Sequence, residues 1–94
     1  MDLHKLVLSL NEIYFSEVKP GVLNRDYGSA LAGIHTMKCY VDTLKYELVD
    51  NIHSGWGYSL EVQILFDKIK NESVGNRDLE RFEAFAAQTR LPKG

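Results

Sequence analysis

The chain has a single cysteine, Cys39, so no internal disulfide can form and a reducing, cytoplasmic setting is expected. Its two prolines, Pro20 and Pro92, and the absence of any proline- or serine-rich tract leave no linker between domains. No apolar run approaches the roughly 18–20 residues that span a bilayer. The first residues do not read as a signal peptide. Asp2 stands where a positive n-region belongs, and Ser9, Asn11 and Glu12 interrupt the apolar stretch at Leu6-Val7-Leu8. A basic excess is also missing. Eleven Lys and Arg against 13 Asp and Glu leave a net charge of −2, which disfavours nucleic acid and anionic membranes as partners. What remains is ordinary globular composition, 45% apolar and 26% charged, in a 94-residue chain that has room for one domain.

Breakers at Pro20-Gly21, Gly55-Trp56-Gly57 and Val74-Gly75-Asn76 divide the chain into four periodic segments. In the first, about 2–18, Leu3, Leu6, Val7, Leu10, Ile13 and Tyr14 recur at helical steps, and Pro20 should stop the helix soon after Glu17. The second, about 25–53, carries Ala30, Ile34, Met37, Val41, Leu44 and Leu48 in alternating four- and three-residue steps. That is a seam for a partner helix at a shallow angle, with Gly28 and Gly33 permitting close approach. The third, about 58–71, is ambiguous. Tyr58 to Ile64 alternates like a strand, whereas Tyr58, Val62, Leu65, Phe66 and Ile69 line one helical face. A lone strand would leave its backbone groups without partners, so helix is favoured. In the fourth, about 77–90, Leu79, Phe82, Phe85, Ala86 and Thr89 share a face. Asn24-Arg25-Asp26 and Asn76-Arg77-Asp78 read as one helix-start solution used twice, Asn as the cap and Asp on the positive end of the dipole. The expected fold is all-α, a small antiparallel bundle of about four helices.

Catalytic and metal chemistry find little footing. His35, Cys39 and Asp42 lie at i, i+4 and i+7 on one helix face, as ligands or a nucleophile with its base would. No second cysteine stands at a ligand spacing, however, and a mixed polar flank beside the seam explains the three equally well. Glu80 with Glu83 and Glu47 with Asp50 read as solvated surface charge. Gly55-Trp56-Gly57 lacks the Gly-Lys-Ser/Thr of a phosphate loop and reads as a helix–helix turn, its glycines at positive φ. Trp56 there either folds back on the core or anchors a partner. Neither enzyme activity nor a cofactor is expected.

Two features point outward. Between Asp42 and Glu61 the charged residues are Asp42, Glu47, Asp50 and Glu61 with Lys45 as the one base, and Tyr40, Tyr46, Trp56 and Tyr58 are interleaved. Asp42, Tyr46 and Asp50 project away from the seam. Aromatics supply anchoring area and carboxylates steer a basic partner, so Asp42, Tyr46, Glu47, Asp50, Trp56 and Glu61 form the candidate partner-binding set. In addition, Leu8 and Phe15 on the first helix, and Leu60 and Ile64 on the third, lie off the core stripes and form a candidate homodimer interface. The function expected is non-enzymatic protein binding. Its most concrete form is an immunity- or antitoxin-type inhibitor that occludes the basic, nucleic-acid-binding groove of a nuclease toxin; the alternative is a homodimeric helical adaptor or regulatory subunit.

Overall fold

The computed structural model describes residues 3–47 and 54–88. They form α1 (Leu3–Ile13), a π-helical turn (Tyr14–Val18), α2 (Lys19–Leu23), α3 (Tyr27–Leu44), α4 (Gly55–Lys70) and α5 (Asn76–Ala87), with no strand among the described residues. The first three run on without a break, so the described residues form an antiparallel bundle of four helical rods.

α3 is the central rod. Its Gly33 meets Glu17 and Val18 of the π turn on one flank, and its His35 and Lys38 meet Phe66 of α4 on the other. A Cβ on Gly33 would come within 2.9 Å of the Glu17 Cβ, so this glycine sets how closely the two rods approach. Gly28, by contrast, is exposed and plays no such part. α5 closes the bundle by touching the two rods that flank α3. Phe82 lies against Tyr14 with ring centroids 4.6 Å apart, and Phe85 against Tyr58 at 4.9 Å. Most of the core lies on the periodic stripes: Val7, Leu10 and Tyr14; Ala30, Ile34, Met37, Val41 and Leu44; Tyr58, Val62, Leu65 and Ile69; Leu79 and Phe82. Val18 and Val22 join it, while Leu3, Leu6, Ile13, Phe66, Phe85 and Ala86 pack against it partly buried. The third segment is therefore a helix, its buried face stepping by three and four.

Several boundaries differ from the sequence reading, each for a local reason. Pro20 does not end the first rod, which continues to Leu23. The π turn explains this. The Lys19 N–H donates to the Tyr14 carbonyl, five residues back, which shifts the hydrogen-bond register just before the proline. Pro20 then falls at the start of α2, where its missing N–H is tolerated. α3 ends at Leu44 rather than near 53, with the Glu47 N–H turning back to the Leu44 carbonyl; Leu48 lies outside the described residues. Gly55-Trp56-Gly57 is no turn and has no positive φ; it is the first turn of α4. Ser54 caps it, its Oγ accepting from the Gly57 N–H at 3.3 Å. Gly55 is needed for another reason: a Cβ there would overlap the Leu44 carbonyl, because the start of α4 rests directly on the end of α3.

The Asn-Arg-Asp echo is not one cap used twice. Asp26 caps α3, its Oδ1 accepting from the Ser29 N–H, while Asn24 closes α2. Gly75 precedes α5, and Asp78 accepts from the Gly75 N–H at 2.9 Å. Positive φ belongs to Arg25 (57°) and Glu72 (54°), the residues just past the ends of α2 and α4. At both places the next two N–H groups fold back onto helix carbonyls, Arg25 to Val22 with Asp26 to Gly21, and Glu72 to Ile69 with Ser73 to Lys68. That is the Schellman end, with a charged residue in the seat glycine prefers.

Candidate functional site

The surface that stands out is the corner where α3 ends and α4 begins. Leu44 closes the seam, and the chain turns through Lys45 and Tyr46. The Glu47 carbonyl accepts from the Gly55 N–H at 2.8 Å, which ties the two ends together. This tie brings Tyr46 and Trp56 side by side with ring centroids 5.5 Å apart and planes at 86°. Both stay in solvent, Tyr46 79% and Trp56 53% exposed. The Lys45 Nζ lies 4.5 Å from the centre of the Trp56 ring and 5.9 Å from that of Tyr46.

The apolar surface continues along α4. Leu60, 59% exposed, and half-buried Ile64 follow Trp56 at steps of four, so the three share the helix face turned away from Tyr58, Val62, Leu65 and Ile69. Three exposed carboxylates lie on the same two helices and the turn between them. Glu47 adjoins Tyr46 in the chain. Asp67 lies one turn beyond Ile64 and accepts from the Gln63 amide at 3.0 Å. Asp42 stands on the flank of α3 that carries His35 and Lys38, the flank that packs on α4.

The predicted partner-binding set is thus partly assembled. Tyr46, Glu47 and Trp56 meet at the corner, and Asp42 is exposed near the end of α3. Glu61 does not join them. It points toward α5, where both its oxygens accept from Arg81 at 3.3 and 3.4 Å. Asp50 lies outside the described residues. The four predicted interface residues do not make one surface either. Leu60 and Ile64 belong to the strip just described, whereas Leu8 and Phe15 are exposed on the rod at the opposite flank of α3. Trp56, expected as a partner anchor, and Leu60 and Ile64, expected at a homodimer interface, share one helix face. Their spacing of four places them together only because Gly55-Trp56-Gly57 lies inside α4 and not in a turn before it.

No protein-family model, curated protein or solved structure matches the chain.

The remaining chemistry-bearing residues are differently employed. The His35 ring stands edge-on to Phe66 at 4.9 Å, and the Lys38 Nζ lies 4.1 Å over the same ring. Cys39 is exposed and free. Among the described residues no group of three or more His, Cys, Asp or Glu is arranged to hold a metal ion. No helix among them is long and apolar enough to cross a membrane. Glu83, read from sequence as solvated charge, is instead the hub of a small network. It accepts from the Tyr14 hydroxyl at 2.7 Å and from Lys19 at 2.9 Å. Burial by itself would raise its pKa; the hydrogen bonds from Lys19 and Tyr14 and the Lys19 charge outweigh it and hold the carboxyl below the ordinary range. Tyr14 responds the other way. Burial first, then its bond to Glu83 and that residue's charge, push the phenol well above its usual value. A cleft of about 650 Å³ opens at the far end of the bundle between Val22, Leu23, Arg25, Tyr27, Glu72 and Val74, and is lined by none of the predicted partner residues.

Proposed function

We propose that this protein is a non-enzymatic binding module that recognises a basic surface on another protein through the Tyr46–Trp56 corner and the α4 strip beside it. The observation that carries the reading is the pair of large aromatic side chains held together in solvent and continued along α4 by Leu60, with exposed carboxylates at Asp42, Glu47 and Asp67 on the same two helices and the turn between them. Tyr and Trp are enriched among the few residues that dominate binding energy, and exposed carboxylates near such a centre steer a partner of opposite sign. In its most specific form the reading is an immunity- or antitoxin-type inhibitor, whose aromatics and acids fill the groove in which a nuclease toxin holds phosphate. Size, the exposed carboxylates and the aromatic anchors support that form.

The test is partner capture from the native source with a photo-crosslinking residue at position 60, compared with the same residue at position 16 on the opposite flank of α3. A basic protein crosslinked from position 60, and lost in Trp56→Ala and in Asp42→Lys with Glu47→Lys, is the expected result. A partner retained by both variants, or crosslinked only from position 16, overturns the proposal.

A second reading has its own observation. Leu8 and Phe15, about half exposed, make a separate apolar face on the first rod, which favours self-association there. Sedimentation at tens of micromolar decides it: a dimer lost in Leu8→Ser with Phe15→Ser supports self-association, and a persistent monomer removes it.

A further inference from the structure

The corner holds more than two exposed rings. Trp56 and Tyr46 stand at right angles, and a cation already sits against them, the ammonium of Lys45. Two perpendicular aromatic walls around a positive charge are the arrangement by which proteins recognise cations, since both ring faces turn their negative side to the ion. Here the ion comes from the protein itself. Lys45 is the cap residue just past the end of α3, so its stem springs from the rim of the corner, and its four-carbon side chain can leave without disturbing the helix. Glu47 follows Tyr46 in the chain and is exposed, and its backbone is tied to Gly55, the residue before Trp56, so a carboxylate springs from the same corner.

From this geometry we infer that the Tyr46–Trp56 corner is a cation-binding cage, kept filled in the free protein by Lys45, and that it receives an arginine side chain of the basic partner in Lys45's place. Arginine fits better than a simple ammonium. Its flat guanidinium stacks on one ring while its forked donors remain free for a carboxylate, and Glu47 supplies one. A quaternary ammonium would use the rings and leave Glu47 idle. Lys45 is then an internal competitor: it shields the aromatic faces from water until the partner's arginine displaces it. This inference rests on the protein-binding reading, and specifies which group of the partner enters the corner.

Trp56 is the single tryptophan of the chain, so its fluorescence reports on the cage directly. The probe is N-acetyl-arginine amide, titrated to tens of millimolar at low salt, with N-acetyl-glutamine amide as its neutral counterpart and tetramethylammonium as the quaternary cation. The arginine probe should change Trp56 emission saturably. Removing the competitor in Lys45→Ala should tighten it by about two- to five-fold, the size of one exposed cation–π contact. Lys45→Arg, which keeps a cation at the walls, should gain nothing, and Tyr46→Leu should abolish the response. Equal affinity in the wild type and Lys45→Ala overturns the inference, as does a glutamine probe that binds as well. Tighter binding of tetramethylammonium than of arginine also overturns it, by showing a cage for another class of ligand. The two proposals fail separately. If the probe result is negative while partner capture still depends on Trp56, binding at the surface stands and the arginine cage falls.

Discussion

Two clusters in this molecule are built from the same parts and end in opposite states. Near the π turn, Tyr14 lies between Phe15 and Phe82, and Lys19 reaches both the Phe15 ring and Glu83. At the α3–α4 corner, Tyr46 lies beside Trp56, and Lys45 reaches both rings. In the first, the tyrosine is fully buried, its hydroxyl donates to a carboxylate, and that carboxylate also takes the lysine. In the second, the tyrosine is mostly in water and the lysine rests on ring faces. Aromatic and basic residues alone therefore do not mark a binding surface. What separates the clusters is whether a second helix supplies a carboxylate and a lid. α5 does so for Tyr14, and none of the described residues does so for Tyr46.

The comparison breaks most visibly if the closed cluster proves dispensable. Tyr14→Ala should destabilise the fold by about 3–5 kcal/mol, since it removes a buried aromatic, opens a cavity against Phe82 and takes a donor from Glu83. Urea denaturation at neutral pH measures it. A loss below about 1 kcal/mol would mean that the cluster is no more structural than the exposed one.

How much of this contrast was legible in the chain depends on the range of the interactions. The core stripes were legible, because a buried helical face repeats every three or four residues whatever lies opposite: Ile34, Met37, Val41 and Leu44 are all fully buried or nearly so. The exposure of Tyr46 also followed from its place off the seam. The partnership of Tyr14 with Glu83 did not, since the two are 69 residues apart and nothing local to Glu83 marks it as buried charge. The Glu61–Arg81 pair was hidden for the same reason, and it takes Glu61 out of the binding set. Helix ends were misread where a less common device replaced the usual one. A π turn carries the rod past Pro20, and Arg25 and Glu72 adopt the left-handed conformation where glycine is the residue one looks for. Gly55 was read as conformational freedom, whereas its role is steric.

A milder change sharpens the comparison by isolating the hydroxyl. Tyr14→Phe keeps the ring and removes the donor, so it should cost about 1–2 kcal/mol at neutral pH, as expected for a hydrogen bond to a charged acceptor. The cost has a predictable pH dependence. The Tyr14 phenol titrates higher in the folded protein than its ordinary value of about 10, so the folded state holds the proton that the unfolded chain releases. A group raised in this way stabilises fully below the unfolded value and loses its contribution as pH climbs past it. The advantage of the wild type over Tyr14→Phe should therefore be flat from pH 7 to 9 and shrink above pH 10, by at most about 1.4 kcal/mol per pH unit. A gap that widens on the alkaline side would show that the hydroxyl is not held neutral by burial.

The smallest effect is the one that defines the open cluster. Tyr46→Ser removes a ring of the same size as Tyr14 from a site 79% exposed, leaves no cavity and strands no donor or acceptor among the described residues. Its contacts with Trp56 and Lys45 are surface contacts, and the Lys45 ammonium stays over the Trp56 ring at 4.5 Å without it. Folding stability should move by no more than about 0.5 kcal/mol, far below the loss at Tyr14, while capture of a basic partner weakens sharply. Denaturation and capture measured on the same preparation separate the two. A side chain that contributes little to the fold and much to association is being kept for what it touches outside the molecule. A loss of stability comparable to that of Tyr14→Phe would instead place Tyr46 among the residues that hold α3 to α4, and the corner would then be a joint of the bundle.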